Sequence, residues 1–174
     1  MLYSDIKHYK DLSTDELYRI IQLRIEGFIV RNKTCYQDLE DKHDKLAYHI
    51  MWYDSKVGFS PDKMVGYISL CYSKTFIGDD GKHYTYPTPR RQAWLDEYKG
   101  GCSTRDFLEC QKLARDKFHS SNLMLEITNP NGKEIFLDQG CKEVGTNIDP
   151  AGRKIWIFVY EDSRTDLYRC LWVM

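Results

Sequence analysis

The six cysteines of this 174-residue chain form no Cys-x-x-Cys pair, so the ligand spacing of a structural zinc site or a dithiol redox centre is missing and no metal is expected. Scattered in this way, they suit reduced thiols. No apolar run approaches the roughly 18 residues of a membrane span. The start, MLYSDIKHYK, lacks the apolar core of a signal peptide, so a cytoplasmic location is the expectation, with no membrane partner. Charge of one sign is also lacking. The formal net charge of −1 gives no global field for nucleic acid, and the basic pair Arg90-Arg91 is too small to supply one. There are no repeats and no low-complexity segments.

With 42% hydrophobic and 29% charged residues, the composition is that of an ordinary globular protein. The length suits one domain, 1–161, with an apolar tail, 162–174. Leu167, Leu171, Trp172 and Val173 are too apolar for a free tail, which is expected to pack on the domain or on a second copy of the chain as a homodimer.

Ser13 or Thr14 caps a helix that runs to about Arg31–Asn32, and Leu17, Ile20, Ile21, Arg24, Ile25 and Phe28 line one face. Ile6–Tyr9, Tyr48–Tyr53, Lys63–Thr75, Gln92–Leu95 and Leu123–Thr128 read as strands. Pro87 and Pro89 confine the approach to Gln92 to an edge or a bulge. After Glu97–Thr104 a second helix runs to about Phe118, with Leu108, Leu113 and Phe118 near one face. Gly132–Gln139 is a short helix closed by Gly140. Glu143–Ile148 and Lys154–Tyr160 form a final antiparallel pair. This order is α/β, a mixed, mostly antiparallel central sheet flanked by helices.

The letters LY…QLR…F.V….CYQDLED between Leu17 and Asp41 resemble the start of ElaA-like proteins, a branch of the GNAT superfamily of N-acetyltransferases that use acetyl-CoA. Arg91 to Leu95 and Lys99-Gly100 match that branch's strand and loop without a gap, and Asn129 and Gly140-Cys141 match later positions. The resemblance covers roughly residues 17–160. It implies a seven-stranded GNAT-like sheet, with Gln92–Leu95 beside Leu123–Thr128.

The resemblance also implies a chemistry. Strand amides at Ala93, Trp94 and Leu95 would polarise the acetyl carbonyl. The loop Lys99, Gly100, Gly101, Cys102, Ser103 and Thr104 would hold pyrophosphate at a helix N-terminus, where unpaired amides meet anions, the alternative for Lys99 to Gly101 being a plain surface turn. Asn129 would add a cofactor or active-site contact or else form a turn before Pro130. Tyr36, Gln37 and Arg91 would line the acceptor side, for an amine on a small molecule or a protein. His49, at a position where ElaA-like proteins carry histidine, and Glu126, mid-strand between apolar neighbours, are the candidate bases. Each has a bland alternative: a packed, hydrogen-bonded histidine, and a carboxylate pointing out from a half-buried sheet.

The departures are specific. Where the superfamily loop reads Gln/Arg-x-x-Gly-x-Gly/Ala, this chain has Lys99, Cys102 and Thr104. The position of the tyrosine that protonates the departing thiolate is Phe136, which has no hydroxyl, so water, or Tyr86 from an adjacent segment, would have to supply that proton. These departures favour a second reading, a catalytically weak or inactive binding module of the same shape.

Overall fold

Ser13 begins the first helix with a reciprocal cap. The Glu16 amide donates to the Ser13 hydroxyl at 3.2 Å, and the Ser13 amide donates to the Glu16 carboxylate at 2.8 Å, so two amides that helix geometry leaves orphaned are satisfied. In this computed structural model all residues are described except 32–38, 40, 56–62, 73–74, 99–101, 150–151 and 163–174, together with the side chains of Asp41, Cys102 and Ser103. The expected site residues Tyr36, Gln37 and Lys99 to Gly101, and nearly all of the apolar tail, lie outside the described residues.

In chain order the elements are β1 (Leu2–His8), α1 (Thr14–Arg24), α2 (Asp41–Asp44), β2 (Tyr48–Asp54), β3 (Lys63–Tyr72), β4 (Phe76–Ile77), β5 (His83–Tyr84), β6 (Pro87–Trp94), α3 (Cys102–Phe118), β7 (Leu123–Ile127), α4 (Lys133–Asp138), β8 (Lys142–Ile148) and β9 (Lys154–Tyr160). They divide into two compact units, Met1–Tyr72 with Pro89–Asp106, and Ser73–Thr88 with Phe107–Met174.

The first unit is built on a four-stranded sheet in the order β1-β2-β3-β6. β3 is buried from Met64 through Cys71, and the run MVGYISLC reads apolar almost throughout because both of its faces are covered. On one face Met51, Met64, Tyr67 and Ala93 pack against Ile20 and Leu23 of α1, with Leu12, Phe28, Tyr53 and Leu95 at the margin. The helix widens after Arg24 into a π-helical turn, Ile25–Val30. Its buried stripe is Ile20, Leu23, Arg24 and Gly27, whereas Ile25 is exposed, which corrects the expected face by one position. A side chain at Gly27 would already touch the Ala93 methyl, at 3.4 Å, so the close approach of this turn to β6 sets the rotation of the helix.

The second unit holds the hairpin β4-β5 and a three-stranded sheet in the order β7-β9-β8. Tyr84, Met124, Val144, Ile157 and Val159 form its core. Gly140, at φ 80, closes α4 as expected, and Gly140 and Cys141 donate to Leu137 O and Phe136 O at 2.9 Å each.

The paired strands described are antiparallel, in line with the expected fold class. The single seven-stranded sheet is corrected: Gln92–Trp94 belong to one sheet, and β7 pairs with β9 in another. β6 is the end strand of its sheet. Pro87 and Pro89 bring no amide hydrogen to it, and Arg91, at φ 58, breaks the extended run with a left-handed residue. Prolines and bulges of this kind are characteristic of a strand at a sheet edge. The hairpin β4-β5 and the short α2 carried no periodicity long enough to be expected. On α3, Leu113 is buried as expected, but Leu108 is exposed, and Asp106, Phe107, Cys110, Gln111 and Ala114 complete the buried stripe.

Candidate functional site

Strand alternation sorts the residues around the end of β6. Ala93 and Leu95 turn to the α1 face, and Trp94 turns to the other. There the Trp94 indole lies over Gly66 of β3, where an added Cβ would stand 2.5 Å from the ring. Only glycine leaves that space. Trp94 is tilted against Trp52 at 5.8 Å, and the Arg105 guanidinium stands 5.5 Å from the Trp52 ring centre, within cation–π range.

Under these rings sits Asp106, 2% exposed, on the second turn of α3. Its Oδ2 accepts from Trp94 Nε1 at 2.8 Å and from Gln92 Nε2. The Trp52 indole N–H is near enough to favour the ionised carboxylate but is directed at no acceptor, and Asp106 Oδ1 likewise has no partner among the described residues. Burial pushes the Asp106 carboxyl up to about 6, against the pull of Gln92, Trp94, Trp52 and Arg105. The cluster was missed in the sequence. Hydrophobic periodicity gives no signal for an acid placed among the buried residues of α3.

The chain leaving β6 is pinned. Leu95 N donates to Val65 O at 2.9 Å, so that amide is committed to the sheet. Arg31 donates to Trp94 O at 3.3 Å and lies 3.4 Å from Asp96. Lys63 approaches Glu97 at 3.4 Å, and the Tyr98 hydroxyl donates to Asp54 at 2.7 Å. Beyond 99–101 the 17-residue helix α3 begins at Cys102, with no acidic residue in its first turn and Thr104 exposed. Amides at that end carry the positive pole of the helix, and no first-turn carboxylate opposes an anion there. These residues fit a phosphate-bearing ligand.

His49 lies on the α1 face, 1% exposed. Its Nε2 is 3.0 Å from Asp44 O and its Nδ1 2.9 Å from the Tyr67 hydroxyl. A carbonyl only accepts, so Nε2 carries the proton and the Nδ1 lone pair takes the Tyr67 hydroxyl. Burial pulls the imidazole down to about 4. Next to it Arg24, 2% exposed, is ion-paired with Asp44 at 2.8 Å. This is the geometry of a packed histidine, and it stands on the sheet face opposite Trp94.

The remaining expected residues belong to the second unit. Glu126 is exposed on β7, opposite Ile157. Asn129 is exposed, and its Oδ1 accepts from the Asn131 amide at 3.1 Å, the hydrogen bond of an Asx turn. Tyr86 is half-buried and donates to Glu161 at 2.7 Å. Phe136 packs on Phe158 at 5.9 Å. Among the described residues no group of three or more His, Cys, Asp or Glu could hold a metal, and no helix is long and apolar enough to cross a membrane.

No family model and no curated protein matches the chain. Solved structures do. An acyl-CoA N-acyltransferase from Pseudomonas aeruginosa aligns with a TM-score of 0.71 at 20% identity, over 91% of this chain and 99% of that one. Escherichia coli ElaA aligns with a TM-score of 0.71 at 18% identity, over 92% and 100%. A mutant of the spermidine N-acetyltransferase SpeG from Vibrio cholerae aligns with a TM-score of 0.60 at 13% identity, over 91% and 92%. At these identities the likeness is one of fold, and the chain has the GNAT fold.

Proposed function

We propose that the protein is a GNAT-type N-acyltransferase of the ElaA-like branch, moving an acetyl group from acetyl-CoA to a primary amine in the cytoplasm. The observation that carries this reading is the pinned exit of β6 leading into a helix whose first turn holds no acid. It stands in a fold shared along nearly its whole length with an acyl-CoA N-acyltransferase.

In this reading the first-turn amides of α3, with Thr104 and Lys99, hold the pyrophosphate. Acetyl-CoA supplies the thioester whose carbonyl carbon the neutral amine attacks. Glu126, exposed on β7, is the better candidate to take the amine proton through water, because both ring nitrogens of His49 are engaged. Tyr86 is the candidate donor to the thiolate and would release Glu161 to act. Lacking a strong acid is tolerable, since a thiol has a pKa of roughly 8.5.

Phe136 favours the second reading, an inactive binding module, because its ring packs on Phe158 and brings no hydroxyl. Calorimetric titration with acetyl-CoA and CoA, followed by thiol release over a panel of amines, separates the two. The transferase reading expects binding and turnover, a loss of about tenfold in affinity for Lys99→Ala, and only a modest change for Phe136→Tyr. Binding without turnover in either protein supports the module. Absence of binding removes the cofactor site altogether.

A further inference from the structure

The carboxylate of Asp106 has no part in the reaction outlined above, yet it is the most deeply buried acid among the described residues. It joins two elements that the chain must bring together. Gln92 and Trp94 are the last residues of β6 that alternate to the face opposite α1, and Asp106 stands four residues into α3. Between them the backbone passes through the 3-10 turn Asp96–Tyr98 and residues 99–101.

We infer that Asp106 is a positioning residue that locks the amino end of α3 against β6, so that the helix amides face the phosphates of acyl-CoA. The inference rests on the transferase reading and deepens it.

Three features carry it. The carboxylate takes the Trp94 indole N–H at 2.8 Å and the Gln92 amide on a single oxygen. Its other oxygen and the Trp52 indole N–H are both left without a partner among the described residues, although Trp52 and Asp106 are 4% and 2% exposed. A fold that needed only stability would fill this space with apolar groups, because a half-satisfied buried polar cluster is unfavourable. Finally, Gly66 is required to seat Trp94 over the sheet, so the indole that holds Asp106 is itself wedged in place. Among the described residues the charged side chain that faces Asp106 is Arg105; the other facing groups are Gln92, Trp94 and Trp52.

The test is calorimetric titration of the full chain with CoA, with hydrogen exchange of the Thr104–Phe107 amides as a second readout. Asp106→Leu removes the acceptor and puts a larger, apolar side chain in its place. Asp106→Asn keeps an acceptor and removes the charge. Asp106→Leu should weaken CoA by roughly tenfold or more, the low end of what losing an orienting partner behind a ligating group costs, and should speed exchange at the head of α3. Asp106→Asn should restore both to within about threefold of wild type, a rescue that loss of charge alone would not give.

Unchanged CoA affinity in a folded Asp106→Leu protein overturns the inference and leaves the transferase reading standing. The same holds if Asp106→Asn binds as poorly as Asp106→Leu. Should Asp106→Leu fail to fold, Gln92→Leu decides: it removes one donor from an exposed position, and an affinity equal to wild type overturns the inference. If wild type itself does not bind CoA, the transferase reading falls and takes this inference with it.

Discussion

Among the described residues, two other than glycine adopt the left-handed region, Arg91 at φ 58 and His119 at φ 51. Arg91 lies in the strand that ends at the candidate site. His119 lies just past α3, where Ser120 N donates back to Ala114 O at 3.1 Å and the chain turns through a left-handed residue to close the helix. Glycine is the favoured residue there, and a side chain costs roughly 1 kcal/mol. His119→Gly should therefore raise stability by about 1 kcal/mol, read as a shift of the urea midpoint at constant slope. A lower midpoint would contradict this account of the helix end. At the same scale the candidate site was half legible. Gln92 to Leu95 and the start of α3 could be placed from a resemblance in spacing. Asp106 could not, because the buried stripe of α3 carries Asp106 and Gln111 among its apolar residues while Leu108 faces water. A polar residue buried for its hydrogen bonds leaves no mark in hydrophobic periodicity.

Each face of the four-stranded sheet carries a buried group that titrates in the acid range, and the two respond to acid in opposite senses. His49 on β2 is pulled from its ordinary 6.5 to about 4. Between those values the unfolded chain binds the proton and the folded one does not, so stability falls as the pH drops. Asp106 on α3 is pushed from 3.8 to about 6. Here the folded chain binds the proton first, so stability rises as the pH drops toward 4. Each contribution is on the order of 3 kcal/mol, and over pH 4 to 6 they largely offset one another. Relative to wild type, His49→Gln should gain stability on acidification from pH 6.5 to pH 4.5, and Asp106→Asn should lose it more steeply. Urea unfolding across that range measures both, and parallel profiles for the three proteins would refute the pair of assignments. The elements that carry these groups were largely legible. β2, β3, β8 and β9 have long apolar runs or clear alternation, and the Ser13 cap marks the start of α1. The hairpin β4-β5 has strands of two residues each, too short to show a period. The prolines announced an edge or a bulge in β6, but the left-handed angle at Arg91 is one that no residue pattern announces.

Across the whole chain the likeness to known transferases is one of shape rather than letters: at 18–20% identity two of the solved structures align over nearly all of it. Such a likeness fixes where chemistry can be built and leaves open which groups perform it. One further consequence follows from where the sulfur atoms lie. Cys71 on β3, Cys110 on α3 and Cys141 before β8 are buried, and burial pushes the Cys141 thiol up to about 12. An alkylating reagent attacks the thiolate, so in the native protein Cys141 is shielded twice, by access and by protonation, and Cys71 and Cys110 are shielded by access. They become stopwatches once the chain opens. Cys71 belongs to the first unit, and Cys110 and Cys141 to the second. Iodoacetamide with mass-spectrometric mapping should leave all three unlabelled under native conditions. At low urea, one shared labelling rate would mean that the two units open in a single cooperative event, and separate rates would make each unit a foldon of its own. Rapid native labelling of Cys141 would contradict its burial.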